Sequence, residues 1–413
     1  MKKYKLILFL STAFLSVACT DSFFDLEPSS SVPTDKVYKT ADDFNVAVMG
    51  CYSKLQTQVS YFTECCEYRS DNLTLSAPTA GTQDRYDIDQ FADKASNGIL
   101  ENAWANFNNG VYRCNLILDR IDEANFNATL KKQYKGEALF IRALTYFNMY
   151  RLWGGIPMTN KVVTVAEALK IGRSSDQQVY DFLVGDLNQV INESMLPSSY
   201  TSADMGRVTS GAAMALLGKI YLTFHKWTEA RNVLSQLIGK YSLMTTPDRV
   251  FDVNNKINDE IIWSIQYTSD LIYNGMNVSR AEMDANVMHR NFVGWYNKSA
   301  KNPNVNIDGL WSHSRVYGRE YRATMPTLYY IRLFSKFDKR RDQTFQSVWC
   351  RIPDNWNNDP DYSDTLLIRT LDVVSDEYIK SYEDRGIIVD NISDIYDINT
   401  GIPTINGRSC FHT

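Results

Sequence analysis

The segments GEALFIRALTYFNMYRLWGGIP (136–157) and GAAMALLGKIYLTFHKWTEARNVLSQLI (211–238) constrain the fold more than any other feature of the chain. In the second, Gly218 precedes Tyr221 by three positions, Ala230 follows nine later and Leu234 four after that. Small, aromatic, small and large at those offsets is the spacing of a tetratricopeptide helical hairpin. The small residues let two antiparallel helices approach closely, and Tyr221, Trp227 and Leu234 are expected to fill the space beside them. The first segment matches in its leading helix only. Ala143 stands three before Tyr146, the helix stops at Gly154 and Gly155, and residues 153–175 intervene before a partner helix expected at 176–194. An ordinary helical pair without solenoid kinship is the competing reading.

The rest of the chain divides by periodicity. TADDF supplies a cap at Thr40, and Phe44, Val48, Cys51, Tyr52 and Leu55 then recur at helical spacing. Residues 68–98 are expected to be loop-rich, and a helix is expected at about 100–121 with Trp104, Phe107, Val111, Cys114, Leu118 and Ile121 on one stripe. Trp104 is therefore assigned to the core. In DEIIWSIQY, Ile261, Trp263, Ile265 and Tyr267 alternate as in a half-buried strand. Beyond residue 270 the chain runs in short Asn-, Asp-, Tyr-, Trp- and Pro-containing stretches. Loops of that length in a compact domain are usually functional or disordered, and so many rings argue against disorder. The expected fold is mostly α, a tetratricopeptide-like helical scaffold with a loop-rich remainder and a few short strands, forming one structural unit. Its segments are 1–18, 19–38, 39–267 and 268–413.

The N-terminus has the layout of an export signal. Lys2, Lys3 and Lys5 precede the apolar LILFLSTAFLSVA, and Ser16 and Ala18 lead to Cys19. That run is shorter than the ~20 residues a spanning helix needs. With the cysteine standing where the mature chain would begin, residues 1–18 read as a lipoprotein signal, Cys19 as the lipidated residue and 19–38 as a tether with an extended lead-in. A secreted protein with cleavage nearby is the alternative. Removing residues 1–18 leaves 40 basic residues against 48 acidic ones, so the basic footprint that nucleic-acid binding requires is missing. The seven cysteines include no pair with metal-knuckle spacing; most are expected to be buried small apolar residues, although an exported chain could form one disulfide.

Taken together, CTDSFFDLEPSSSVPTDKVYKTADDFNVAVMGCYSKL, WANFNNGVYRCNLILDRID, GEALFIRALTYFNMYRLWGGIPM, GRVTSGAAMALLGKIYL with WTEA, and DEIIWSIQY resemble the SusD/RagB family of outer-membrane nutrient-binding lipoproteins from Bacteroidetes. The blocks come in the family's order and cover roughly residues 19–267; FSKFDKRRDQTF resembles the family's Asp-Arg-Arg segment. The chain departs from the family in lacking its final helical region, so 268–413 is read as a truncated loop-rich region. The resemblance implies a surface-exposed protein, lipid-anchored in the cell outer membrane, that captures oligosaccharide or polysaccharide and hands it to a SusC-like TonB-dependent transporter. Uptake of peptide or another nutrient is the alternative within the same system.

Sugar recognition needs aromatic faces for the apolar faces of pyranose rings and carboxylates, amides or guanidinium groups for the hydroxyls; it needs no nucleophile. Two intervals offer such groups, 69–91 and 291–321, and the expected ligand-binding residues are Asp71, Arg85, Tyr86, Trp295, Tyr296 and Trp311. No catalytic role is assigned. A surface glycoside hydrolase, which would need a spaced carboxylate pair, is the alternative of another class, and a peptide-binding scaffold is a third. The four histidines are dispersed, and Gly-x-Ser-x-Gly, His-Glu-x-x-His and phosphate-loop motifs are absent. No cofactor is expected. DPDYSD (359–364) lacks the glycine and the final glutamate of an EF-hand loop, which leaves only an irregular structural calcium site open there.

Overall fold

A computed structural model of the chain describes residues 37–75, 83–252, 254–267, 301, 324–345, 348–350 and 365–404. Helix α1 (Ala41–Glu67) starts behind Thr40, whose hydroxyl accepts from the Asp43 amide at 3.2 Å while Asp43 accepts from the Thr40 amide at 2.9 Å. This capping box satisfies donors that a helix start would otherwise leave open, and the Thr40 and Lys39 amides, with the Thr40 hydroxyl, hold the Asp43 carboxyl below its usual range. Five more helices build the scaffold: α3 (Gly98–Leu118), α4 (Ala128–Trp153), α5 (Asp176–Asn192), α6 (Ser210–Thr223) and α7 (Trp227–Leu234). The short α2 (Gln83–Asp89) lies between α1 and α3. Packing runs in sequence: α1 against α3 and α4, α3 against α4, α4 against α5, α5 against α6, and α6 against α7.

The main core lies between these helices and includes Phe44, Val48, Phe107, Ile117, Phe140, Phe147, Leu183 and Ile220. The α6–α7 hairpin has the close approach its spacing predicts. A Cβ on Gly218 would stand 2.3 Å from Leu234 Cδ2, and Ala230 and Tyr221 are buried. Trp227 departs from expectation: it is 60% exposed, with the His225 ring 5.3 Å from its own. It opens α7 at a point where the hairpin turns to the surface, so a motif position inward in a longer stack faces outward here.

Two buried ionic networks lock the scaffold. Glu137 of α4 accepts from both Arg207 (3.1 Å) and Tyr52 of α1 (2.8 Å), and the Tyr52 hydroxyl in turn accepts from the Val208 amide at 2.8 Å. Arg142 grips Asp186 of α5 with two bonds, at 2.9 and 2.8 Å, and reaches Asn115 of α3 at 2.7 Å. Tyr146 bonds both the amide and the carbonyl of Thr159, pinning the insertion onto α4.

The strand expected at 261–267 does not form: among the described residues this segment joins no sheet, and the backbone bends at Ile262. The Ile261 amide bonds the Asn258 carbonyl at 3.1 Å, and further along Trp263 Nε1 donates to the Gly206 carbonyl at 2.9 Å while its ring meets Phe140 edge-on. Gln56 and Tyr267 supply further bonds between this segment and α1. Trp104 is also less enclosed than its stripe suggests. It is 38% exposed, set edge-on against Trp153 with ring centroids 5.2 Å apart.

Strand β1 (Leu73–Leu75) pairs antiparallel with β2 (Thr324–Pro326), and α8 (Leu328–Leu333) follows. A second sheet has the order β3 (Val348–Cys350), β4 (Thr365–Arg369), β5 (Ile388–Asp390), antiparallel then parallel. Met325 of β2 and Leu328 and Ile331 of α8 form a smaller core with Phe345, Ile392, Ile395 and Tyr396.

Cys51, Cys65 and Cys114 are buried and free, and Cys66 is half-buried and free. Burial pushes the Cys65 thiol up to about 12 and raises that of Cys114 as well. Since the thiolate is the reactive form, iodoacetamide at pH 8 is expected to leave both unmodified in the native protein and to label both in urea. Peptide mass mapping checks this; native labelling of Cys65 would contradict it. Among the described residues no helix is long and apolar enough to cross a membrane.

Candidate functional site

One end of the bundle gathers the predicted residues that the structure describes. It is formed by the C-terminal end of α1, β1, α2, the 90–97 loop, and β2 with α8. Within the interval expected to be loop-rich, the described residues include β1 and α2. Thr74 of β1 donates to Asp89 of α2 at 3.4 Å, and Asn97 donates to the Asp84 carbonyl at 2.8 Å, which docks α2 onto the start of α3. Asp84 also accepts from the Gly98 amide at 3.0 Å.

Asp71 is exposed, just before β1. Its backbone carbonyl accepts from the Thr327 hydroxyl, and the neighbouring Asn72 carbonyl accepts from the Thr327 amide at 2.9 Å. These bonds place Asp71 beside the start of α8, where Tyr329 is 59% exposed. Arg85 is half-buried and donates to Glu64 of α1 at 2.9 Å. That pair fixes α2 on α1, and the Arg85 side chain is 29% exposed. Burial and the nearby Glu64 carboxylate raise the phenols of Tyr61 and Tyr68 above their ordinary value. Tyr86, on the same helix, is half-buried. Arg69 and Asp93 form an ion pair at 2.7 Å that ties the 90–97 loop to the end of α1.

Asp71, Arg85 and Tyr86 thus share one end of the bundle. Trp295, Tyr296 and Trp311 lie outside the described residues, as do Cys19 and the DPDYSD turn. Among the described residues, no group of three or more His, Cys, Asp and Glu side chains is arranged to hold a metal ion. Phe91, at the C-terminal edge of α2, is 74% exposed and was not singled out by sequence reasoning. A single phenylalanine in an acidic run carries no periodicity to mark it.

Residues 22–222 match a SusD-like family profile whose description is starch-binding associating with outer membrane. A SusD-like protein of Formosa agariphila is 30% identical over 290 residues, covering 65% of this chain and 54% of that protein. The crystal structure of a SusD-like protein from Bacteroides fragilis superposes with a TM-score of 0.57 at 26% identity, over 74% of this chain and 56% of the other. Over residues 22–222 the chain is SusD-like. A surface glycan-binding protein from Bacteroides thetaiotaomicron, solved in complex with laminarihexaose, shares the fold at a TM-score of 0.60 and 20% identity, over 75% of this chain and 64% of that one. The chain spans about half the length of the curated SusD-like relatives it matches. The blocks that carried the resemblance in sequence are those that build the scaffold: the GEALFIRAL helix supplies Glu137 and Arg142, and GRVT supplies Arg207, the partner of Glu137.

Proposed function

We propose that this SusD-like protein binds oligosaccharide or polysaccharide at the cell surface, anchored through lipid on Cys19 to the outer membrane, and delivers it to a SusC-like TonB-dependent transporter. The observation that carries the reading is the family match over residues 22–222, with its description as starch-binding and outer-membrane-associated. The shared fold of a protein crystallised with laminarihexaose supports it. So does the end of the bundle itself, where an exposed carboxylate at Asp71 and a held guanidinium at Arg85 stand near exposed rings. Such groups can meet ring hydroxyls, and rings can cover pyranose faces. The ligand-binding set is Asp71, Arg85, Tyr86, Trp295, Tyr296 and Trp311, acting without turnover.

The test is calorimetry of the full chain against laminarihexaose and amylopectin, with reducing ends assayed in parallel. Saturable binding with no new reducing ends is expected. Release of sugar would favour a hydrolase, and binding to neither probe would overturn the glycan reading. Trp295→Ala combined with Trp311→Ala should weaken binding by about 1–3 kcal/mol per ring lost, the range of aromatic hot spots; unchanged affinity would remove both from the site.

A further inference from the structure

Helix α2 ends in an unusual way. Phe91 has φ of 55°, in the left-handed region. The Ala92 amide reaches back to the Asp87 carbonyl at 2.8 Å and the Phe91 amide to Ile88 at 3.2 Å, so Phe91 occupies the left-handed position that closes a helix and is most often glycine or asparagine. A bulky side chain there is a conformational outlier, and such outliers persist where something other than stability selects them.

Among the described residues, two other helices end with a non-glycine residue in the same conformation, Ser194 at φ 50° and His225 at φ 58°. Serine is short and polar. His225 recovers contact by packing on Trp227 at 5.3 Å. Phe91 does neither: it is 74% exposed, and among the described residues no other ring packs against it. Burial therefore does not explain the residue. Its surroundings offer another explanation. The loop that follows is tied down by the Arg69–Asp93 pair at 2.7 Å, in which both side chains keep part of their surface, at 28% and 22%. Arg69 lies two positions before Asp71, on the end of the bundle that also carries Arg85 and Tyr86.

Resting on the glycan-binding reading, we propose that Phe91 is a stacking platform for a pyranose ring, with Arg69 and Asp93 beside it as hydroxyl partners, and that stability is sacrificed to present it. An exposed flat ring beside a fixed donor and a fixed acceptor matches the two-sided chemistry of a sugar, apolar on its face and hydroxylated at its rim. Binding and stability should then move in opposite directions at this one position.

Three variants of the full chain test this: Phe91→Gly, Phe91→Asn and Phe91→Trp. Glycine and asparagine suit the left-handed conformation and remove the ring. Both should raise the thermal midpoint and weaken binding of laminarihexaose or amylopectin, whichever the parent binds, by about tenfold. Tryptophan should hold the parent's affinity without gaining stability, which separates loss of the ring from a reshaped loop. Parent-like affinity in Phe91→Gly would overturn the proposal. A lowered midpoint in Phe91→Gly would also overturn it, because the ring would then be part of the packing. If the parent binds neither probe, the glycan reading fails and this assignment falls with it; if the parent binds and the variants bind equally, only the assignment fails.

Discussion

Asp186→Ala should destabilise the protein by about 3–5 kcal/mol, the usual cost of stranding one member of a buried ion pair. Arg142 and Asp186 are almost wholly enclosed, with side chains 6% and 11% exposed, and joined by two parallel bonds. Removing the carboxylate leaves a guanidinium that no water can reach freely, still held by Asn115 at 2.7 Å and the Asn160 carbonyl at 3.0 Å. The loss should spread, because Asn115 also donates to the carbonyls of Thr159 and Lys161. Replacing both partners, as in Arg142→Met with Asp186→Leu, should cost much less, since well-packed apolar pairs often substitute for buried charges without loss. Urea unfolding followed by circular dichroism measures all three proteins. A single variant within about 1 kcal/mol of the parent would show that the pair is not structurally required.

The second large effect is expected at Gly154 and Gly155, for two separate reasons. Gly154 has φ of 69° and ψ of −140°, a region that side chains exclude, so Gly154→Ala should cost about 1–3 kcal/mol. Gly155 keeps a permitted backbone, but a Cβ there would lie 2.2 Å from the Ser174 carbonyl oxygen. Backbone cannot swing aside as a flexible side chain can. Gly155→Ala should therefore cost about 1–3 kcal/mol through overpacking. The site matters because it is where the insertion returns to α4: Arg173 donates to the carbonyls of Gly155 and Trp153 at 2.7 and 2.8 Å, and the Ser174 amide bonds Ile156 at 3.0 Å. Limited proteolysis should then cut within residues 156–175 in either variant before the parent. Equal proteolysis and equal unfolding midpoints would refute the clash argument.

The helices were legible because their signals are local. Caps at Thr40, Asn97, Asn127, Ser175 and Thr209 and a 3.6-residue apolar period need nothing from distant sequence. The short α2 and β1 were not, since β1 exists only because Leu73–Leu75 meets Thr324–Pro326. The alternation in DEIIWSIQY was real as a pattern, but a strand also needs a neighbour's backbone, and this segment satisfies itself with side chains from α1 and elsewhere instead. Trp104 and Trp227 were over-assigned to the interior because helical spacing reports a face, and not how far the packing over that face extends. At the candidate site, residue types pointed to Asp71, Arg85 and Tyr86, yet they could not reveal that Arg85 is partly committed to Glu64. Phe91 became visible only through its backbone torsion.

The β1–β2 ladder has a kinetic side. The hydroxyl of Thr327 and the carbonyl of Asp71 that adjoin it are 256 positions apart in the chain, whereas the helical hairpins close over short spans. Contacts across long separations must wait for the entropy of loop closure to be overcome, so chains fold their local pairings first. The scaffold should therefore assemble early, as the helices emerge, and the end of the bundle carrying Asp71 should be completed last. In hydrogen exchange, amides of α3 and α4 would gain protection ahead of those in β1, which makes the completed ladder a timer for the maturation of this surface.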